Sequence, residues 1–195
     1  MTKVGWVVLG AILLVAGLFA SMLSFGRGKP PAARVVVAPN ALPPAEPWRG
    51  GEVPRLIIPV AEVTGIQLSD SWGDPRGGGR GHKGIDIMAP PGTAVIATAS
   101  GTIEKLFQSR LGGTTLYQRS PDGGWTFYYA HLQQYAPGVR EGMKVEAGDV
   151  LGYVGDTGEG SGGKFHLHFS VARLAPEQKW YQGADVNPYP LLVRR

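Results

Sequence analysis

Residues 114–129 read TTLYQRSPDGGWTFYY. Thr114–Tyr117 and Trp125–Tyr129 are rich in β-branched and aromatic side chains, which fit a pleated surface. Between them, Pro121-Asp122-Gly123-Gly124 has the composition of a hairpin loop. The stretch therefore predicts two antiparallel strands joined by a turn. Outward in both directions the same grammar recurs. Ala94–Ala97 and Val150–Val154 are short apolar runs bounded by Gly and Pro, and no long window carries a helical period except the last residues. The expectation is an all-β domain over residues 53–195, an antiparallel arrangement of sheet and hairpins.

Composition bounds what such a domain can do. The chain has 195 residues, 43% of them apolar and 17% charged, so a domain of this length buries a core without staples. It has no Cys, which excludes disulfides and thiolate metal sites. The net charge of +4 suits a polyanionic surface such as cell wall or membrane headgroups. No basic stripe interleaves with aromatics, which speaks against nucleic acid as a partner.

All four histidines lie in the β domain. His82 and Asp86 sit in Gly81-His82-Lys83-Gly84-Ile85-Asp86-Ile87, His131 in Tyr128-Tyr129-Ala130-His131-Leu132, and His166 and His168 in Phe165-His166-Leu167-His168-Phe169. On a strand, residues i and i+2 share a face, so His166 and His168 project together while Phe165, Leu167 and Phe169 are expected to face the core. Imidazole nitrogen and carboxylate oxygen are both zinc donors, and three protein ligands with an open fourth position make a catalytic rather than a structural site. Residue spacing leaves open which of His166 and His168 binds metal.

The stretch from Ser71 to Pro190 resembles the lysostaphin-type, or LytM-like, zinc endopeptidases. The motifs come in the family's order. Ser71-Trp72-Gly73-Asp74-Pro75-Arg76 and Gly78-Gly79-Arg80-Gly81-His82 lead into Gly84-Ile85-Asp86-Ile87 and Ala89-Pro90-Pro91-Gly92-Thr93. Tyr129-Ala130-His131-Leu132, then Gly148-Asp149-Val150-Leu151-Gly152, then Phe165-His166-Leu167-His168-Phe169 follow, and Asn187-Pro188-Tyr189-Pro190 closes the match. The resemblance implies a lysostaphin-like, barrel-sandwich-like fold, with zinc held by His82, Asp86 and His168 and with His131 and His166 as catalytic, non-ligand histidines. It implies hydrolysis of peptide cross-links in bacterial peptidoglycan by activated water. Phe165 stands where the family usually has Pro, and Ser170 where it often has Glu or Gly. Some family members lack ligands and act as non-catalytic activators of other wall hydrolases, which is the alternative reading; this chain keeps all five site residues. A swinging-arm carrier reading around Gly142-Met143-Lys144-Val145 explains none of the histidines.

Several side chains remain to be placed. Trp72, Tyr117, Trp125 and Tyr128 suit the core or a sheet face better than a groove wall, and Arg76 and Arg80 read as solvated or as contacts for a substrate carboxylate. At the other end, Val4–Phe25 holds no charged residue and as a helix would span about 33 Å, enough for a bilayer core. Residues 1–26 are read as one N-terminal transmembrane anchor or signal-anchor, in preference to a cleaved signal peptide, and 27–52 as a Pro- and Ala-rich linker. Lys3 precedes the span and Arg27, Lys29 and Arg34 follow it, so charge alone would keep the C-terminal domain inside. The implied wall substrate overrides that reading: the expectation is a single-pass protein of the bacterial cytoplasmic membrane with its catalytic domain on the outer side.

Overall fold

Alternation along Trp125–Tyr135 sends Trp125, Phe127 and Tyr129 to one side, and all three are buried. The partner strand Gly113–Arg119 runs antiparallel to it, with Tyr117 opposite Tyr128, Gln118 opposite Phe127 and Arg119 opposite Thr126. Between the strands the Ser120 amide donates to the Trp125 carbonyl at 2.9 Å, and the Asp122 carboxylate accepts from the Gly124 amide at 3.1 Å. The expected hairpin is thus present, and its turn is held by the aspartate rather than by glycine alone.

A computed structural model describes residues 52–193. Its strands, in chain order, are β1 (Pro75–Arg76), β2 (Arg80–Gly81), β3 (Ile85–Met88), β4 (Ala94–Ile96), β5 (Gly101–Ser109), β6 (Gly113–Arg119), β7 (Trp125–Tyr135), β8 (Lys144–Val145), β9 (Val150–Val154), β10 (His166–Arg173) and β11 (Ala184–Val186). β1 and β2 form a small ribbon, and the other nine strands form one sheet ordered β11-β10-β7-β6-β5-β8, with β3 on β10 and β9 joining β7 to β4. All pairings are antiparallel. Long β7 pairs with β10 and β6 through its first part and with β9 at Leu132–Tyr135, so it carries the chain from one side of the fold to the other. The fold is mostly β, as expected.

Ile85, Ile87, Val95, Ile103, Leu116, Leu151, Leu167 and Phe169 close one core with the β7 aromatics. The segment ahead of the sheet belongs to it: Leu56 and Val60 are buried, and the Thr98 hydroxyl donates to the Ile57 carbonyl at 2.6 Å. Phe127 has no accessible surface, so Phe127→Ala leaves a cavity and is expected to cost about 3–5 kcal/mol, read as a lower denaturant midpoint.

Three expectations are corrected or bounded. Phe165 precedes β10 and is 41% exposed, because the strand's alternation starts only at His166. The helical tail is one short turn, Tyr189–Leu192. The anchor at 1–26 and all but the last residue of the linker at 27–52 lie outside the described residues, and among the described residues no helix is long and apolar enough to cross a membrane.

Candidate functional site

β3 and β10 pair so that Asp86 lies opposite His168, with Ile85, Ile87, Leu167 and Phe169 turned into the core. The apolar residues set the register, and the register sets two polar side chains side by side on the other face. His82 arrives from the loop after β2. Its amide donates to the Asp74 carbonyl and its own carbonyl accepts from the Gly73 amide, both at 2.9 Å. Gly84 lets this loop run against β10: a Cβ there would lie 2.5 Å from the Phe169 carbonyl oxygen and 2.9 Å from the His168 ring.

The three side chains converge. His82 Nε2 lies 2.9 Å from His168 Nδ1, and Asp86 Oδ1 lies 3.2 Å from each of them. For donors about 2.05 Å from a tetrahedral cation, the donor–donor edge is about 3.3 Å. The triangle has that size, and all three atoms can offer lone pairs to its centre, which fits a zinc ion. The outer face of His82 supports the same orientation, with Nδ1 2.8 Å from the Ser71 carbonyl oxygen. A carbonyl only accepts, so Nδ1 carries the proton and Nε2 turns its lone pair inward. The Arg76 guanidinium, 2.8 Å from the same Nδ1, therefore spends its hydrogen bond on Asp86 Oδ2 at 2.5 Å. Burial pushes the Asp86 carboxyl up, but the close polar contacts with His168, His82 and Arg76 outweigh it and hold the group well below the usual carboxylate range. Arg76, one-third exposed at the wall of the cleft, thus pairs with the anion that completes the cluster.

His131 and His166 stand beside this triangle. Their ring centroids are 4.8 Å apart, and the His131 ring is 6.0 Å from that of His168. Each holds its Nδ1 against a backbone carbonyl at 2.7 Å, His131 on Thr157 and His166 on Lys164. A carbonyl only accepts, so each Nδ1 carries a proton and, in the neutral form of the ring, Nε2 is the unprotonated nitrogen. His166 Nε2 is buried, has no hydrogen-bond partner and lies 3.6 Å from Asp86 Oδ1. Burial lowers the His131 pKa to about 4, the Thr157 carbonyl opposing it, so the ring is neutral at pH 7.

His131 reaches the site by a break in alternation. Tyr129 faces the core, so strict alternation would send His131 there too. Instead β7 carries one extra residue between its pairings at Tyr129 and Leu132, and His131 takes φ 62°. A bulge of this kind re-aims one side chain, and the left-handed backbone of a non-glycine residue is held here by the His131 amide on the Gly112 carbonyl at 2.8 Å.

The cleft over these residues has a volume of about 590 Å³ and is walled by Arg80, Lys83, Leu111, Tyr128 and Gly160. Of the four aromatics assigned to the core or a sheet face, Trp125 is fully buried; Tyr128 sits edge-on to His168, 5.9 Å between centroids, and Tyr117 packs on Tyr128 at 4.4 Å. Both are on the site face of the sheet. Trp180 and Tyr181, which pattern reading passed over, extend this aromatic surface, Trp180 lying 4.4 Å from Tyr117. Lys144 is a solvent-facing residue of two-residue β8, far from any role in the site.

Residues 80–188, more than half of the chain, match Peptidase family M23. The chain is 36% identical over 142 residues to the L-Ala–D-Glu endopeptidase of Bacillus subtilis, an alignment covering 69% of this chain and 42% of that protein. It is 31% identical over 129 residues to the murein hydrolase activator NlpD of Escherichia coli, covering 66% of this chain and 30% of that one. Each relative is thus much longer than the part this chain matches. Among solved structures, the catalytic domain of lysostaphin from Staphylococcus simulans superposes with a TM-score of 0.53 at 30% identity, covering 63% of this chain and 88% of that domain. On the family match and these likenesses together, the chain belongs to peptidase family M23 and is of the LytM and lysostaphin type.

Proposed function

We propose that this chain is a zinc endopeptidase that hydrolyses peptide cross-links of bacterial peptidoglycan, with His82, Asp86 and His168 as ligands and His131 and His166 as the proton-handling residues. The observation that carries the proposal is the buried, unpartnered Nε2 of His166 beside a three-donor triangle, with the His131 ring packed on it. A buried ring nitrogen is costly to leave unpaired, and a reacting group supplies the missing partner. Bound at the triangle, zinc supplies Lewis acidity and lowers the pKa of water toward about 7. His131 and His166 present Nε2 to the same space. One accepts the proton of the attacking water and, as imidazolium, hands it to the leaving nitrogen; the other, when protonated at Nε2, donates to the carbonyl oxygen as negative charge gathers there. The Thr157 and Lys164 carbonyls hold the two rings at the needed angle throughout. No HExxH motif occurs, so no glutamate is placed for this task.

The same proposal assigns residues 1–26 as a membrane anchor with the domain on the outer side, where the wall substrate lies. Its support is the uncharged run Val4–Phe25 and the wall-directed names of the relatives. The likeness to the activator NlpD favours a second reading, in which the domain binds wall peptides and stimulates other hydrolases. Release of soluble fragments from purified sacculi separates the two. The full chain is expected to release fragments, to lose this activity on chelation and to regain it with zinc, while fragment masses name the bond. Wild-type chain that holds zinc and releases nothing from several wall chemistries would favour the activator.

A further inference from the structure

Beyond the metal cluster, the sheet face that bears His168 continues into a second cavity of about 210 Å³. Its floor follows from register. His168, Ser170 and Ala172 share one face of β10, Tyr128 lies opposite Ser170 and Thr126 opposite Ala172 on β7, and Asp185 of β11 lies opposite Ala172 on the other side. At a strand rise of about 3.3 Å, this floor lies roughly 7–13 Å from His168. Tyr117 and Trp180 form an aromatic wall, and the Trp180 segment is pinned by Arg119, which donates to the Gln178 carbonyl at 3.0 Å while gripping Glu104.

Two observations mark this cavity as built for a ligand. Thr126 is 3% exposed, lines the cavity, and its hydroxyl has no hydrogen-bond partner. At the cavity's edge Lys83 Nζ meets Asp185 Oδ2 at 2.8 Å, with the Lys83 side chain 74% exposed. An exposed pair of this kind contributes little stability. Lys83 is also the residue between His82 and Gly84, so its ammonium is carried on the loop that presents a metal-cluster residue. A ligand with only a carboxylate would meet Lys83 favourably and Asp185 unfavourably, and a ligand with only an amine the reverse. A ligand with both groups on one carbon matches both, its carboxylate on Lys83 Nζ and its ammonium on Asp185, over a floor in which the Thr126 hydroxyl is buried without a partner. Methylenes leading to that carbon would lie along Tyr117 and Trp180.

We propose that this cavity is a specificity subsite for a substrate residue whose side chain ends in a free amino-acid centre, as diaminopimelate does. The assignment rests on the wall-peptide reading above and adds to it which cross-link chemistry the site selects. Uncharged oligoglycine bridges carry no charge pair to meet Lys83 and Asp185.

The test uses the zinc-loaded full chain and three synthetic wall peptides that differ at one residue: diaminopimelate, its side-chain carboxamide, and lysine. Calorimetric binding is expected to favour diaminopimelate by about tenfold or more over each of the others, the size of one charge-assisted contact. Lys83→Gln is expected to erase the margin over the carboxamide. Asp185→Asn and Thr126→Val are expected to weaken binding of the diaminopimelate peptide. Hydrolysis of cross-linked forms is followed in parallel. No margin in the parent, or a margin unchanged in both charge variants, overturns the subsite even if all three peptides are cut. A Lys83-dependent margin with no hydrolysis keeps the subsite and overturns the endopeptidase reading.

Discussion

Replacing His131 by Ala, or His166 by Ala, is expected to lower hydrolysis of cross-linked wall peptides by about 10²–10⁴-fold while leaving the zinc stoichiometry unchanged. Neither ring is among the three donors that converge at 2.9–3.2 Å, and each is oriented from outside by a backbone carbonyl rather than by the cluster. Removing either therefore takes away a proton site and leaves the triangle standing. The pH profile gives the prediction a sign. A histidine acts as base only when neutral, and burial lowers the His131 pKa from its ordinary 6.5 to about 4. The neutral fraction of His131 thus persists well below pH 6.5 and is lost as pH falls through about 4. Stability follows the same direction, because the unfolded chain takes up this proton near 6.5 and the folded chain resists it; the folded state loses stability as pH falls between those values. His131→Ala is expected to flatten that loss in acid unfolding. Near-normal turnover in either variant, measured as kcat on a cross-linked peptide with zinc content verified, would remove that histidine from the reaction.

Much of the arrangement was legible in residue order, and what was not has identifiable causes. The hairpin over 114–129 could be read because alternation and turn chemistry agree there. The shared face of His166 and His168 followed from a period of two, and both rings do border one cluster. Pairing with Asp86 required the register, which Ile85, Ile87, Leu167 and Phe169 set jointly and which no local pattern announces. His131 is harder still. Counting in twos from Tyr129 puts it in the core, and only the extra residue in β7 and a φ of 62° bring it round. A histidine in that backbone region leaves no sequence mark of the kind a glycine would. Residue type alone makes Arg76 solvated or a contact for a substrate carboxylate, and only the β1–β2 ribbon brings it back onto Asp86. Trp180 and Tyr181 sit in a run with no periodicity, and only the packing of Trp180 on Tyr117 places that run beside the floor of the cleft.

Asp86→Ala is expected to have the other large effect: zinc binding lost and hydrolysis at background, with the fold retained. The fold survives because β3 is held by Ile85 and Ile87, both buried in the core, and the substitution changes only the opposite face. Zinc is lost because two imidazoles alone leave the cation without its anionic donor, and because the Arg76 guanidinium that had paired with the carboxylate at 2.5 Å remains beside the site with its charge uncompensated. A thermal-shift measurement reads both halves at once. A ligand that binds only the folded state raises the melting temperature by mass action, so zinc should stabilise the parent chain after chelation and leave Asp86→Ala unmoved at the same concentration. Acidification gives a parallel control. The Asp86 carboxyl is held well below its ordinary range, so it stays ionised throughout the pH range in which proton competition at the imidazoles releases metal. Loss of zinc on mild acidification is therefore not protonation of Asp86, and the variant, which begins without zinc, should show no such transition. An Asp86→Ala chain that kept stoichiometric zinc and cut wall peptides would show that the metal is held by other donors, and the triangle would lose its role.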